Sequence, residues 1–159
     1  MYAKKMTLLA ALLATASGAG AATSQVDFNV EAVIPDNEFY VTPVNGWNAQ
    51  TQKMAWNAAT KSLAPISQQL QMRNDKGGIK AYLAGEPVLS SSGGADNIAL
   101  DVTIAGQTLP TNATNAVTIY DNASVEKTAT MTVSQKGTTP GPGTYMGAVT
   151  LMFDAVIKP

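Results

Sequence analysis

The stretch Val26-Asp27-Phe28-Asn29-Val30-Glu31-Ala32-Val33-Ile34-Pro35 alternates apolar and polar side chains and then meets a proline. Val26, Phe28, Val30, Ala32 and Ile34 fall on one side; Asp27, Asn29 and Glu31 fall on the other, with Val33 the exception. A period of two is the signature of a strand with one dry and one wet face. Pro35 closes it, because proline has no N–H to give a ladder. The same beat recurs downstream. Ile66, Leu70 and Met72 share a face, as do Ile79, Ala81 and Leu83, then Ile98, Leu100, Val102 and Ile104, then Ala129, Met131 and Val133. Tyr145, Gly147, Val149, Leu151, Phe153 and Ala155 form a long odd-numbered face near the end of the chain.

Between these runs lie turn formers: Pro43 to Gly46, Asp75-Lys76-Gly77-Gly78, Ser90 to Gly94, Ala105-Gly106-Gln107 and Thr138 to Gly143. Glycine supplies positive φ and proline presets its own, so these clusters interrupt strands for physical reasons. No window carries a sustained 3.6-residue apolar stripe; Ala55 to Leu63 is expected to make a helical turn. Short strands divided by turns point to an all-β protein of immunoglobulin-like sandwich type. No internal repeat or break in composition divides it.

Composition narrows the chemistry. The chain has 159 residues, 45% of them apolar, with no Cys and no His. Thiolate and imidazole chemistry, disulfides and ordinary zinc or haem sites are therefore excluded. Ten basic residues against eleven acidic give a net charge of −1, without the basic excess of a nucleic-acid binder.

The first 22 residues read as a secretory signal. Lys4 and Lys5 head an apolar run from Met6 to about Ala16, and Ala19-Gly20-Ala21 offers small residues to a signal peptidase. The run is too short for a bilayer span of ~20 residues. Cleavage is expected after Ala21 or Ala22, which places the alternating stretch almost at the start of the mature chain.

That position gives the stretch two readings. It is the first strand of its own sheet, or it leaves its own domain and completes a neighbour's, where an added strand gains main-chain hydrogen bonds and seats alternate side chains in pockets. The alternation alone does not choose between them.

Several blocks together do. Val26 to Pro35, Lys53-Met54-Ala55-Trp56, Leu70-Gln71-Met72-Arg73-Asn74, Ile79 to Leu83, Glu86-Pro87-Val88-Leu89, Thr138-Thr139-Pro140 and Gly143 to Phe153 occur in an order that resembles the major pilins of colonisation-factor-antigen-type fimbriae, also called alpha or class 5 chaperone–usher fimbriae. The absence of Cys fits as well. The resemblance implies an incomplete immunoglobulin-like sandwich completed by donor-strand exchange, with residues 1–22 as signal, 23–35 as donor extension and 36–159 as pilin body. It implies Val26, Phe28, Val30, Ala32 and Ile34 as the donor side chains. Tyr145, Val149, Leu151 and Phe153 would lie on the final strand bordering the acceptor groove, where chaperone and donor pair in turn. Pro35 is either a hinge between extension and body or a simple strand stop. The implied partners are other copies of the chain, a periplasmic chaperone, an outer-membrane usher and a minor tip adhesin, with no nucleic acid, no cofactor and no catalysis; the destination is a surface fimbria. The chain differs from the family over Asn37–Gln52, which includes Trp47, and in its tail from Asp154 to Pro159.

Other chemistry is weaker. Asp36 and Glu38 follow a strand-ending proline and read as solvated turn acids rather than a glycosidase pair. Asp96-Asn97 and Asp121-Asn122 lack the dense oxygen set of a calcium site. Asn112-Ala113-Thr114 and Asn122-Ala123-Ser124 match the glycosylation triplet, which is frequent by chance. Gly77-Gly78 and Gly93-Gly94 have no strand–loop–helix setting for phosphate. Tyr40, Trp47 and Trp56 offer the platform of a secreted carbohydrate-binding sandwich, the rival reading, although core packing is the commoner fate, above all for Trp56.

Overall fold

The computed structural model describes residues 29, 38–138 and 141–157. The chain divides into two units between Ile34 and Pro35, and the fold below is that of the second. The leader, the donor residues Val26, Phe28, Val30, Ala32 and Ile34, and Pro35 lie outside the described residues.

The described residues form twelve strands: β1 (Phe39–Pro43), β2 (Trp56–Asn57), β3 (Ser62–Leu63), β4 (Ile66–Asn74), β5 (Gly77–Leu83), β6 (Val88–Ser91), β7 (Asn97–Ile104), β8 (Gln107–Thr108), β9 (Val117–Tyr120), β10 (Ala123–Lys136), β11 (Tyr145–Met146) and β12 (Leu151–Ile157). Ten of them form a large antiparallel sheet in the order β1-β4-β10-β7-β6-β11, with β8 also on β7, and a small sheet in the order β12-β5-β9, while β2 pairs β3 apart from both. The inner faces meet in one apolar cluster. Leu70 and Met72 of β4, Ala129, Met131 and Val133 of β10 and the even residues of β7 lie with Ile79, Ala81 and Leu83 of β5 and Ile119 of β9. The all-β architecture and the inward faces of β4, β5, β7 and β10 are as the periodicity predicts.

One buried polar residue ties the sheets. Asn74, at the end of β4, is 2% exposed. Its Nδ2 donates to Gly78 O at 2.6 Å and Val156 O at 3.1 Å, and its Oδ1 accepts from Lys76 N. A buried amide is tolerated because its hydrogen bonds are made. Here they join the large sheet to both strands of the β5–β12 pair.

Three expectations need correction. Ala55–Leu63 is not helical: β2 and β3 pair as a small hairpin. The Asn57 side chain accepts from Ala59 N and Thr60 N, an Asx turn that competes with helix, and Lys61 takes a positive φ of 50°. Trp56 on that hairpin is 53% exposed rather than in the core, because it lines a surface cavity beside Leu63 and Pro142. Trp47 instead packs against the core.

The third correction concerns the long odd-numbered face of Tyr145 to Ala155. It is two strands in two sheets: β11 pairs β6, and β12 pairs β5. The chain crosses over residues 147–150. At Gly147 a Cβ would lie 2.1 Å from Val88 O, so only glycine permits the crossing. The tail beyond Phe153 is mostly strand, since β12 runs to Ile157.

The unusual Asn37–Gln52 region supplies β1 and a 3-10 turn at Val44–Ala49, in which Asn45 and Gly46 adopt φ of 60° and 63°. Trp47 Nε1 donates to Gln69 O at 2.9 Å, and Gln52 donates its Nε2 to Trp47 O while its Oε1 accepts from Gln68 Nε2. The turn is thereby latched onto β4.

Candidate functional site

Strand β12 is the feature that calls for a partner. It pairs β5 through seven residues in unbroken register, Leu151↔Leu83 to Ile157↔Gly77. Among the described residues it has no strand on its other side. Residues directly opposite in an antiparallel pair share a face. Leu151, Phe153 and Ala155 therefore share the inner face of Leu83, Ala81 and Ile79, each at most 1% exposed. Yet Leu151 and Phe153 are only half-buried and Ala155 is exposed. Ile157, on the same face opposite the buried Gly77, is 69% exposed. The core-facing side of β12 opens toward its free edge.

The backbone opens the same way. Ala84 N–H donates to Thr150 C=O at 3.0 Å, which aims the even-numbered backbone groups at β5. Backbone direction alternates along a strand, so N–H and C=O of Leu151, Phe153 and Ala155 point away from β5, toward the open edge. An apolar face beside unpaired backbone is a template for one more strand.

The residues expected to border a groove are thus distributed. Leu151 and Phe153 lie on β12, Val149 lies on the crossing and packs against the core, and Tyr145 belongs to β11 in the other sheet. Tyr145 donates its hydroxyl to Gly141 O at 2.8 Å. Its phenol is held above the usual range, first by desolvation and then by the nearby Asp96 carboxylate. With Trp56, Leu63, Ile98 and Pro142 it lines a separate, mostly apolar cavity of about 410 Å³. Sequence reasoning placed Ala155 on the odd-numbered face without naming it as a groove residue, and missed Ile157 at the edge and Asn74 as an anchor. Extending the odd-numbered face by one more position would have found Ile157.

The polar alternatives find structural partners. Glu38 pairs with Lys76. Asn112 caps a 3-10 turn through Asn115 N, and Asn122 accepts from Ser124 N. Tyr40 donates to Glu126, which lowers the Glu126 carboxyl, with help from Gln71, and raises the Tyr40 phenol. Among the described residues no group of three acidic side chains gathers as a metal site.

Comparison with known proteins gives the context. The family model of CS1 type fimbrial major subunits matches residues 24–154. No curated protein matches the chain. Among solved structures, the CooA pilin subunit from enterotoxigenic Escherichia coli superposes with a TM-score of 0.53 at 19% identity, over 64% of this chain and 75% of that one. At that identity the likeness speaks to the fold, which is a pilin fold. The chain therefore belongs to the CS1-type fimbrial major subunits, and its role is that of a structural pilin repeated in a surface fimbria.

Proposed function

We propose that the subunit polymerises by donor-strand exchange along the free edge of β12. Residues 1–22 are removed on export, residues 23–35 form the donor extension, and residues 36–159 form the body. Val26, Phe28, Val30, Ala32 and Ile34 of one subunit enter the inner face bounded by Val149, Leu151 and Phe153 of another, while Tyr145 buttresses the neighbouring sheet. A periplasmic chaperone covers that edge first, an outer-membrane usher exchanges it for the donor, and a minor tip adhesin ends the filament. The route to the surface runs through the periplasm, and the protein works by assembly rather than catalysis. Pro35, with its fixed φ, limits the direction in which extension leaves body.

The observation that carries this reading is the half-buried inner face of β12 with its backbone aimed outward. Magnitudes agree. Five inward donor side chains, at ~1.5–3 kcal/mol for each large one, supply on the order of 10 kcal/mol gross. Each ladder hydrogen bond adds ~0.5–1.5 kcal/mol net. A chain without cysteine can be joined firmly this way.

Deleting residues 23–34, or replacing Phe28 and Val30 with Asp, tests the proposal. The altered subunit should still be captured by its chaperone yet fail to form the heat-dissociable ladder of wild-type filaments. Normal filaments from either variant would reject it.

A further inference from the structure

We infer that the donor lies antiparallel to β12 in one particular register, with Phe28 seated over Ala155, and that this pair selects the register. The inference rests on donor-strand exchange as proposed above and concerns how the two segments match.

The donor alternates through five apolar positions over residues 26–34, and the inner face of β12 carries four, with Val149 preceding them on the crossing. Those of the edge run Val149, Leu151, Phe153, Ala155, Ile157; those of the donor run Val26, Phe28, Val30, Ala32, Ile34. Each set holds one phenylalanine and one alanine. Directly opposite side chains share a layer of the core, and each layer must be filled to a similar volume. Antiparallel pairing with full overlap sets Phe28 over Ala155, Val30 beside Phe153, Ala32 beside Leu151, and the branched Val26 and Ile34 beside Ile157 and Val149. Every layer then holds one larger and one smaller, or two medium, side chains.

The alternatives fill unevenly. Parallel pairing with full overlap brings Ala32 onto Ala155, a layer of two alanines, and piles Phe28 on Leu151. Voids of that kind are destabilising. Sliding the antiparallel donor by two residues in one direction stacks Phe28 on Phe153. Sliding it in the other sets Val30 against Ala155 and Phe28 against Ile157. Either slide leaves one donor side chain beyond the edge segment.

The geometry of β12 supplies the space. Ala155 lies opposite Ile79, which is 0% exposed, yet Ala155 itself is exposed, so room remains above an otherwise closed part of the core. A phenyl ring laid there would cover Ala155 and carry the closed core outward from Ile79 to the strand edge. Asn74, through Val156 O, holds the adjacent backbone in place.

A size swap reads the register. Ala155→Phe in the full-length chain should reduce filament ladder by about tenfold or more, since overfilled cores are costly, and adding Phe28→Ala to the same chain should restore it. Ala155 is exposed in the unpolymerised subunit, so urea unfolding of A155F should match wild type and separate lost assembly from lost folding. As a second measurement, Phe28→Cys with Ala155→Cys should yield an oxidation-dependent covalent ladder, while Phe28→Cys with Phe153→Cys should not. The chain has no other cysteine, and residues two places along are too far apart to bridge. Undiminished filaments from A155F, rescue by Val26→Ala or Val30→Ala in place of Phe28→Ala, or cross-linking only through Phe153, would overturn the register and leave strand exchange intact. Filaments from a chain lacking residues 23–34 would overturn strand exchange itself.

Discussion

Strands β7 and β12 carry nearly the same pattern and have different surroundings. In β7, Ile98, Leu100, Val102 and Ile104 are each at most 4% exposed, and the strand is flanked by β10 on one side and by β6 and β8 on the other. In β12, Leu151 and Phe153 are half-buried, Ala155 and Ile157 are exposed, and among the described residues only β5 pairs with it. Hydrophobic alternation therefore states which face a strand wants to bury, and the neighbours decide whether it succeeds. Where alternation and burial disagree along a whole strand, a further neighbour is called for, which in the proposed filament is the donor of another subunit.

The comparison can be broken by mutation. In the unpolymerised subunit, Ile104→Ala should cost ~2–5 kcal/mol, the range for a fully buried aliphatic truncation. Leu151→Ala should cost only ~1–2 kcal/mol, because less apolar surface is lost. Urea unfolding would show both, and equal costs would mean that β12 is as well covered as β7. In assembled filaments the gap should narrow.

Two residues outside the edge keep β12 where it is. Gly147→Ala would press a methyl into the Val88 carbonyl and should destabilise by ~1–3 kcal/mol, while Gly93→Ala, with nothing within 4 Å of its Cβ, should be near neutral. Thermal melts of the two variants compare them directly. Asn74→Ala strips a donor from the Gly78 and Val156 carbonyls and should cost ~1–3 kcal/mol. Faster hydrogen exchange at the β12 end, ahead of β7, is the expected signature.

The smallest effect lies on the exposed side of the large sheet. The Tyr40–Glu126 bond lowers the Glu126 carboxyl, so its small contribution is present above the ordinary carboxylate range and fades as pH falls through the lowered value. The raised Tyr40 phenol gives the opposite limb, present below the ordinary phenol value and lost as pH rises through the raised one. Glu126→Gln should flatten both limbs in a pH series of urea midpoints and leave filament yield unchanged. A loss of filaments would make this face, too, an assembly surface.

Much of the fold was legible because one face of each long strand is dry and the other wet. β4, β5 and β7 announce themselves in this way. β1 and β9 were passed over because four or five residues of mixed polarity give too little alternation to count. β10 was read only over Ala129–Val133 because a register shift between Ala123 and Lys127 inserts extra residues and breaks the beat. The change of sheet after Met146 was invisible because alternation continues through it; only the contact at Gly147, a tertiary fact, reveals the crossing. The fates of Trp47 and Trp56 were likewise set by what lies over them. Of the site, Leu151 and Phe153 were readable from pattern, whereas the openness over Ala155 and the reach of Asn74 depend on residues distant in sequence.

The seven unbroken residue pairs between β12 and β5 also have a mechanical meaning. In the proposed filament, a pull arriving through a donor threaded beside β12 runs along the strand axis. Such tension loads the ladder in shear, so all its rungs resist together instead of peeling one after another. A strand only partly sheltered from water is thus also one well oriented to withstand stretching.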